Sequence, residues 1–266
     1  MDRLVERGEE EVTHQRVKRI KELLKGVAPH KSDPQDVFYR PFIPRPINEA
    51  SFDIYLMGIN PATPISVQQY SLDYYVRALV CPIKYKKMYS DIRGGNGKSS
   101  RTRIGIASFS EELRTRTGLN VLEKNVIPYP TRSLKELRCY EREHPNVIQQ
   151  AESLFYELLL IDQPKVLIVY SKASLLYLLN ILEARNLLKF NDDLRVLIKK
   201  TIRVLEKEST LKFVYPTGEE AEIFICRHLM YYGHHGKSFT DFKARILNSL
   251  RITDENMADE DSKKDY

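Results

Sequence analysis

Cysteine is scarce in this 266-residue chain. Its three cysteines, Cys81, Cys139 and Cys226, show no CxxC spacing. That usage argues against a disulfide framework or a cysteine-rich zinc centre and suits a reducing cytoplasm. Long apolar runs are also missing. None approaches the roughly 18–20 residues of a membrane span, so no membrane partner is expected. The opening stretch MDRLVERGEEEVTHQRVKRIKELLKG reads as too charged for a signal peptide. Internal repeats are absent. Histidines His228, His234 and His235 come nearest to a metal-ligand cluster. Adjacent histidines rarely share one ion, and no carboxylate or cysteine joins them at ligand spacing, so no metal or other cofactor is expected. A hydrophobic fraction of 42% is that of a globular chain.

Charge is plentiful and unevenly spread. The net charge is +6, yet residues 254–266 (DENMADEDSKKDY) alone carry −4, which leaves +10 on the rest. Between Lys84 and Arg103 stand seven basic residues and one acid, Asp91. Such a block suits a polyanion, most often nucleic acid; a solvated loop is the other reading. Gly94-Gly95-Asn96-Gly97-Lys98-Ser99 is not a phosphate loop of the GxxxxGK[ST] kind. That pattern needs glycine at position 92, which is Ile92, and a preceding apolar strand. Its glycines can still let backbone amides approach a phosphate.

The pattern divides the chain into an N-terminal helix (1–30), a proline-rich extended connector (31–50), a main domain (51–252) and an acidic, disordered tail (253–266). Within the main domain, strands are expected near 52–57, 120–127, 165–170 and 221–226. Helices are expected over 66–80, 104–117, 143–162, 171–188, 192–207 and 238–250, with a basic, glycine-rich loop at 84–103. The run KVLIVY is apolar throughout, as in strands buried on both faces. Strands alternating with helices predict an α/β protein, a three-layer α/β/α sandwich around a mainly parallel four-stranded sheet. Ligands of such sheets bind at the carboxyl ends of the strands, here 58–64, 125–132, 170–173 and 227–237.

Those strand ends carry a recognisable series. Met57-Gly58-Ile59-Asn60-Pro61 resembles the first motif of the uracil-DNA glycosylase superfamily, in the form of its mismatch-specific and thymine-DNA branches. Asn125 after the second strand, the segment Lys165–Ala173, and His228 after the fourth resemble its later motifs in order. The resemblance covers about residues 50–250. Three positions depart from it: Ala62 and Tyr170 stand where glycine is usual, and Leu229-Met230 replace Pro-Ser after the histidine. The resemblance implies a monofunctional DNA glycosylase, with no lysine nucleophile recognisable at the strand ends. Such an enzyme hydrolyses the N-glycosidic bond of uracil or another modified pyrimidine, hypermodified cytosine of phage DNA included. The alternative is a non-catalytic nucleic-acid-binding module on the same fold.

The residues suit that chemistry. Bond cleavage builds an oxocarbenium-like sugar and an anionic leaving base. Asn60 can position water, and His228 can donate to the departing base. Asn125, with Gly58 and Ile59, can read its polar edge, while Tyr70, Tyr74, Tyr75 or Phe109 stacks on it. The base must be flipped out of the duplex. Lys98, Ser99, Arg101, Arg103, Arg132, Lys172 and Lys237 are the expected phosphate contacts. Met230, Tyr231 or Tyr232 is the expected plug for the vacated stack. Each residue also has a structural reading: Asn60 as a helix cap, Asn125 tied to a neighbouring loop, His228 as a satisfied core histidine, and the tyrosines as core. The expected partner is DNA, met by a cytoplasmic monomer.

Overall fold

The computed structural model describes residues 15, 18–45, 51–94, 100–188, 192–208 and 210–250. Most of the expected N-terminal helix, Lys98, Ser99 and the acidic tail lie outside these residues. Four strands, β1 (Ile54–Gly58), β2 (Val121–Asn125), β3 (Val166–Tyr170) and β5 (Glu220–Cys226), run parallel; β4 (Thr210–Val214) pairs antiparallel with β5. The order is β2-β1-β3-β5-β4, so the sheet has five strands rather than four. The extra strand, TLKFV, is short and mostly exposed at the edge, so no long apolar run announces it.

Alternate side chains of the central strands feed two cores. Tyr55, Met57, Leu122, Leu167, Val169, Ile223 and Ile225 face one side. There they meet α6 (Pro145–Asp162) and α7 (Lys172–Ala184), among others. Ile54, Leu56, Val121, Val166, Ile168 and Phe224 face the other, against α4 (Arg101–Thr117) and a helix over 240–250. Three layers follow from this alternation. No helix of the described residues is long and apolar enough to cross a membrane.

The basic stretch 84–103 is not one loop. Residues Pro82–Ile92 form a helix, and another begins at Arg101. Proline at the first position suits the helix start at 82. Ser100 caps the next helix by accepting from the Arg103 amide, and Gly118 (φ 70°) closes it in the left-handed conformation only glycine adopts freely. Leu134–Glu143 is a further helix that the pattern did not announce.

Within the proline-rich segment, residues 37–45 are core rather than connector. Val37 through Phe42 and Arg45 are buried. Backbone amides of Phe38, Arg40, Ile43 and Arg45 donate to Ile65, Pro128, Glu123 and Leu79. Phe42 bridges Lys124, so the segment covers the outer edge of β2 and removes a sticky strand edge. Proline bars a helix here without keeping the intervening aromatics out of the interior.

At the base of this core lies a fully desolvated ion pair. Arg45 grips Asp162 through two bonds of 2.5 and 2.7 Å, both side chains 0% exposed, and the Tyr55 hydroxyl donates to the same carboxylate at 2.5 Å. Nearby, Lys124 is 0% exposed, and its Nζ has no hydrogen-bond partner among the described residues. The ammonium lies 4.3 and 4.5 Å from the Tyr55 and Phe155 ring centres. Burial lowers its pKa to about 7; Asp162 opposes this and Arg45 adds to it.

This group makes stability depend on pH with a definite sign. The unfolded lysine keeps its proton to about pH 10.4, while the folded one releases it near 7. The unfolded state therefore binds more protons in between, and stability rises from about pH 7 towards 10. Above that, ionisation of the buried tyrosines in the unfolded chain reverses the trend, because burial raises Tyr39, Tyr55 and Tyr75. Lys124→Met is expected to raise stability at pH 7 by about 2 kcal/mol and to flatten the pH 7–10 slope. Urea melts across that range check both.

Candidate functional site

The carboxyl ends of β1 and β2, the buried segment near Arg40, the 82–92 helix and the first turn of α4 enclose a cavity of about 520 Å³. That volume is in the range of small-ligand sites. Asn60 and Asn125 both line it, brought together because Gly58 and Asn125 are register partners across β1 and β2.

Asn60 does not cap a helix; Ser71 caps the next one, Leu72–Leu79. Its amide nitrogen instead meets acceptors: the Thr131 hydroxyl at 2.8 Å, the Thr131 carbonyl at 3.0 Å and the Pro61 carbonyl at 3.2 Å. The Thr131 hydroxyl donates onward to the Ser133 carbonyl, so it can only accept from Asn60. These acceptors fix the amide orientation and leave Oδ1 as a positioned acceptor.

Asn125 is 6% exposed and lines the cavity, yet its side chain makes no hydrogen bond among the described residues. It is not tied to a neighbouring loop. A buried amide left open towards a cavity presents one donor edge and one acceptor edge to whatever enters.

His228 is not in the lining. Tyr170, one of the departures from the family pattern, stands there instead. A Cβ on Gly58 would lie 2.5 Å from the Tyr170 hydroxyl, so glycine at the end of β1 makes room for that ring. The His228 ring packs edge-on against Tyr170, centroids 5.7 Å apart, behind the cavity wall. Its Nδ1 accepts from the Met230 amide at 3.2 Å, which leaves the neutral ring its proton on Nε2. Burial lowers the His228 pKa. The Tyr170 hydroxyl has no hydrogen-bond partner among the described residues, and burial, with Glu123 next, pushes its pKa up. It is therefore a protonated donor where the sequence pointed to histidine.

The other expected residues divide. Arg103 lines the cavity but is bonded through both terminal nitrogens to Glu123. Phe109 is 0% exposed in the core on the α4 face, against Tyr232 and Phe242, and stacks on no ligand. Helical spacing turns it inward. Tyr75 is core as well, stacked on Phe38. Tyr70 and Tyr74 stack on each other outside the lining. Tyr232 is buried, its hydroxyl donating to Glu112, so it cannot serve as a plug. Ile59 packs against the α6-side core rather than the cavity. The Lys172 ammonium donates to the Lys200 carbonyl at 3.0 Å and is engaged at a helix end. Arg101, Arg132 and Lys237 are exposed. Met230 (38% exposed) and Tyr231 (62%) form an exposed apolar pair on the short turn after His228.

Residues that sequence reasoning missed are Tyr170, Arg40, Tyr85 and Tyr89. Tyr85 and Tyr89 are four apart and stack at 5.9 Å on the cavity side of their helix. Tyrosines at helical spacing among lysines were a readable signal; nothing in the sequence marked Arg40. Among the described residues no three His, Cys, Asp or Glu side chains are grouped to hold a metal ion. No family model matches the chain, and no curated protein is significantly similar to it.

The turn carrying His228–Tyr231 is held against α4 at Gly105, where a Cβ would sit 2.0 Å from the Leu229 carbonyl oxygen. Gly105→Ala must therefore push the two backbones apart. It is expected to cost about 2 kcal/mol, measured by denaturant melts.

Proposed function

We propose that the protein is a monofunctional DNA glycosylase, working as a cytoplasmic monomer. It receives a flipped-out uracil or other modified pyrimidine in the cavity and hydrolyses its N-glycosidic bond, leaving an abasic site. The observation that carries this reading is Asn125, buried, unpartnered and facing a cavity that also holds Asn60. A planar base with alternating donors and acceptors is the ligand that such an amide edge matches. The strand-end resemblance to the uracil-DNA glycosylase superfamily supports it from the sequence side.

Roles follow from the chemistry of the groups. Asn60 Oδ1, held by Thr131, orients the attacking water. The Tyr170 hydroxyl and Asn125 amide donate to the base as it leaves with negative charge, which fixed donors stabilise before the reaction begins. His228 supports the Tyr170 ring from behind. Tyr85 or Tyr89 supplies the stacking face. Exposed Arg101, Arg132 and Lys237 grip phosphates, and Met230 with Tyr231 fills the vacated stack.

Alkali-treated duplex and single-stranded DNA test this, carrying either uracil or glucosylated 5-hydroxymethylcytosine. Strand scission at the modified position is expected with the wild type. Asn60→Ala and Asn125→Ala are expected to lower its rate at least ~100-fold, the scale of losing one positioned polar group. Thr131→Val is expected to lower it ~10-fold, because it only loosens Asn60. Scission at none of these bases above the Asn60→Ala level rejects the activity. Salt-sensitive DNA binding without turnover would then favour a binding module, the reading suggested by the absence of an unpaired carboxylate in the cavity lining. Borohydride trapping of the chain on DNA would show a lysine nucleophile, and among the described residues Lys86 is the lysine that lines the cavity.

A further inference from the structure

Arg40 is used by none of these roles. It lines the same cavity, and its side chain is 4% exposed. One terminal nitrogen donates to the Tyr85 hydroxyl at 3.2 Å, and the guanidinium carbon lies 5.5 Å from the Tyr89 ring centre. Its Nε is buried without a partner among the described residues. No carboxylate pairs with it among the described residues, whereas Arg45, five residues on, has Asp162. A guanidinium keeps its charge when buried, and desolvation without a counter-ion is strongly unfavourable.

Among the described residues the surroundings supply no missing anion. Lys86 and Arg93 line the cavity and form no ion pair among the described residues. The lining carboxylate, Glu123, is already taken by Arg103. Ser100 and Thr102 bring the first turn of the 17-residue α4 to the same wall, where a helix start favours negative charge. Four positive elements thus converge on a cavity that also holds two amides.

We propose that the cavity contains an anion subsite, in which Arg40, aided by Lys86, Arg93 and the start of α4, receives an oxyanion carried by a nucleoside ligand. Its placement beside a base rests on the reading of Asn125 above. The anion subsite itself rests on Arg40. Two sources supply the same chemistry: the phosphate of the nucleotide, or an anionic group on the base.

Isothermal titration of the full chain with 2′-deoxyuridine, its 5′-monophosphate and 5-carboxy-2′-deoxyuridine separates them. At least one anionic ligand is expected to bind about tenfold more tightly than the neutral nucleoside at ~0.15 M salt, the scale of a charge-assisted contact. A gain for the monophosphate identifies the backbone phosphate, and a gain for the carboxylate identifies a substituent on the base. In Arg40→Met, shown folded by circular dichroism, the gain should vanish. In Lys86→Ala/Arg93→Ala, whose altered residues are exposed, it should shrink severalfold, which decides the matter should Arg40→Met not fold. No gain for either anion, or a gain unchanged in these variants, overturns the proposal. If the anions keep their advantage while Asn125→Ala affects no ligand, the base reading fails and the anion subsite stands. If deoxyuridine needs Asn125 but anions gain nothing, the reverse holds.

Discussion

The bond between Arg45 and Asp162 is the constraint on which the site depends. Both groups are shut away from water, so neither can be left alone without the cost of an uncompensated buried charge. Asp162 closes α6, and Arg45 belongs to the segment that seals the edge of β2. The pair therefore pins a strip of chain that cannot form a helix to the body of the sheet. The strip fixes Arg40 and Ile43 at the wall of the cavity. A segment held only by apolar packing could slide along β2; a bidentate ion pair with a third bond from Tyr55 permits one register.

Strand alternation then separates two kinds of chemistry. On β2, Lys124 turns into the core shared with Tyr55 and Phe155, while Glu123 and Asn125 turn to the cavity. Lys124 is thereby kept from the site even though it sits between two residues that reach it. A lysine nucleophile at this strand end is not available, and the lowered pKa of Lys124 reflects its burial rather than a catalytic environment. The same alternation puts Tyr170 at the end of β3 on the cavity side and so moves His228 behind it.

The sheet was legible because its central strands are short apolar runs ended by Gly58, Pro128 or a polar turn. Alternation of such runs with amphipathic helices leaves few other architectures. What was not legible had a physical reason in each case. The helix 82–92 carries three lysines and buries only Tyr85 and Met88, so its apolar stripe is thin. The strand β4 has one buried residue, Phe213. The strip 37–45 is core by virtue of aromatics between prolines, a pattern with neither helical nor strand period. Of the site, Asn60 and Asn125 could be found because strand ends are where such folds bind ligands. Arg40 reaches the same cavity from a segment that reads as connector and has no local signature, while Tyr85 comes from a stretch that reads as loop and is marked by its spacing from Tyr89 alone.

On the proposed reading, the cavity favours one side of the reaction. Among the described residues it holds no unpaired carboxylate to stabilise a cationic sugar, and Asn60 is too weak a base to do more than orient water. Its surplus of positive charge lowers the energy of a departing anion instead. The Arg40 charge is the most effective part of it, because it is desolvated and already in place. For the same reason Arg40 destabilises the empty protein, as unpaired buried charge must. A chain that retains such a residue beside an unpartnered amide has given up stability where a ligand is to restore it. Local rules of burial are broken in this way at binding sites far more than elsewhere. On the proposed reading it is the meeting of Arg40 and Asn125 in one cavity that marks the ligand site, since Lys124 breaks the same rule in the core and does not line that cavity.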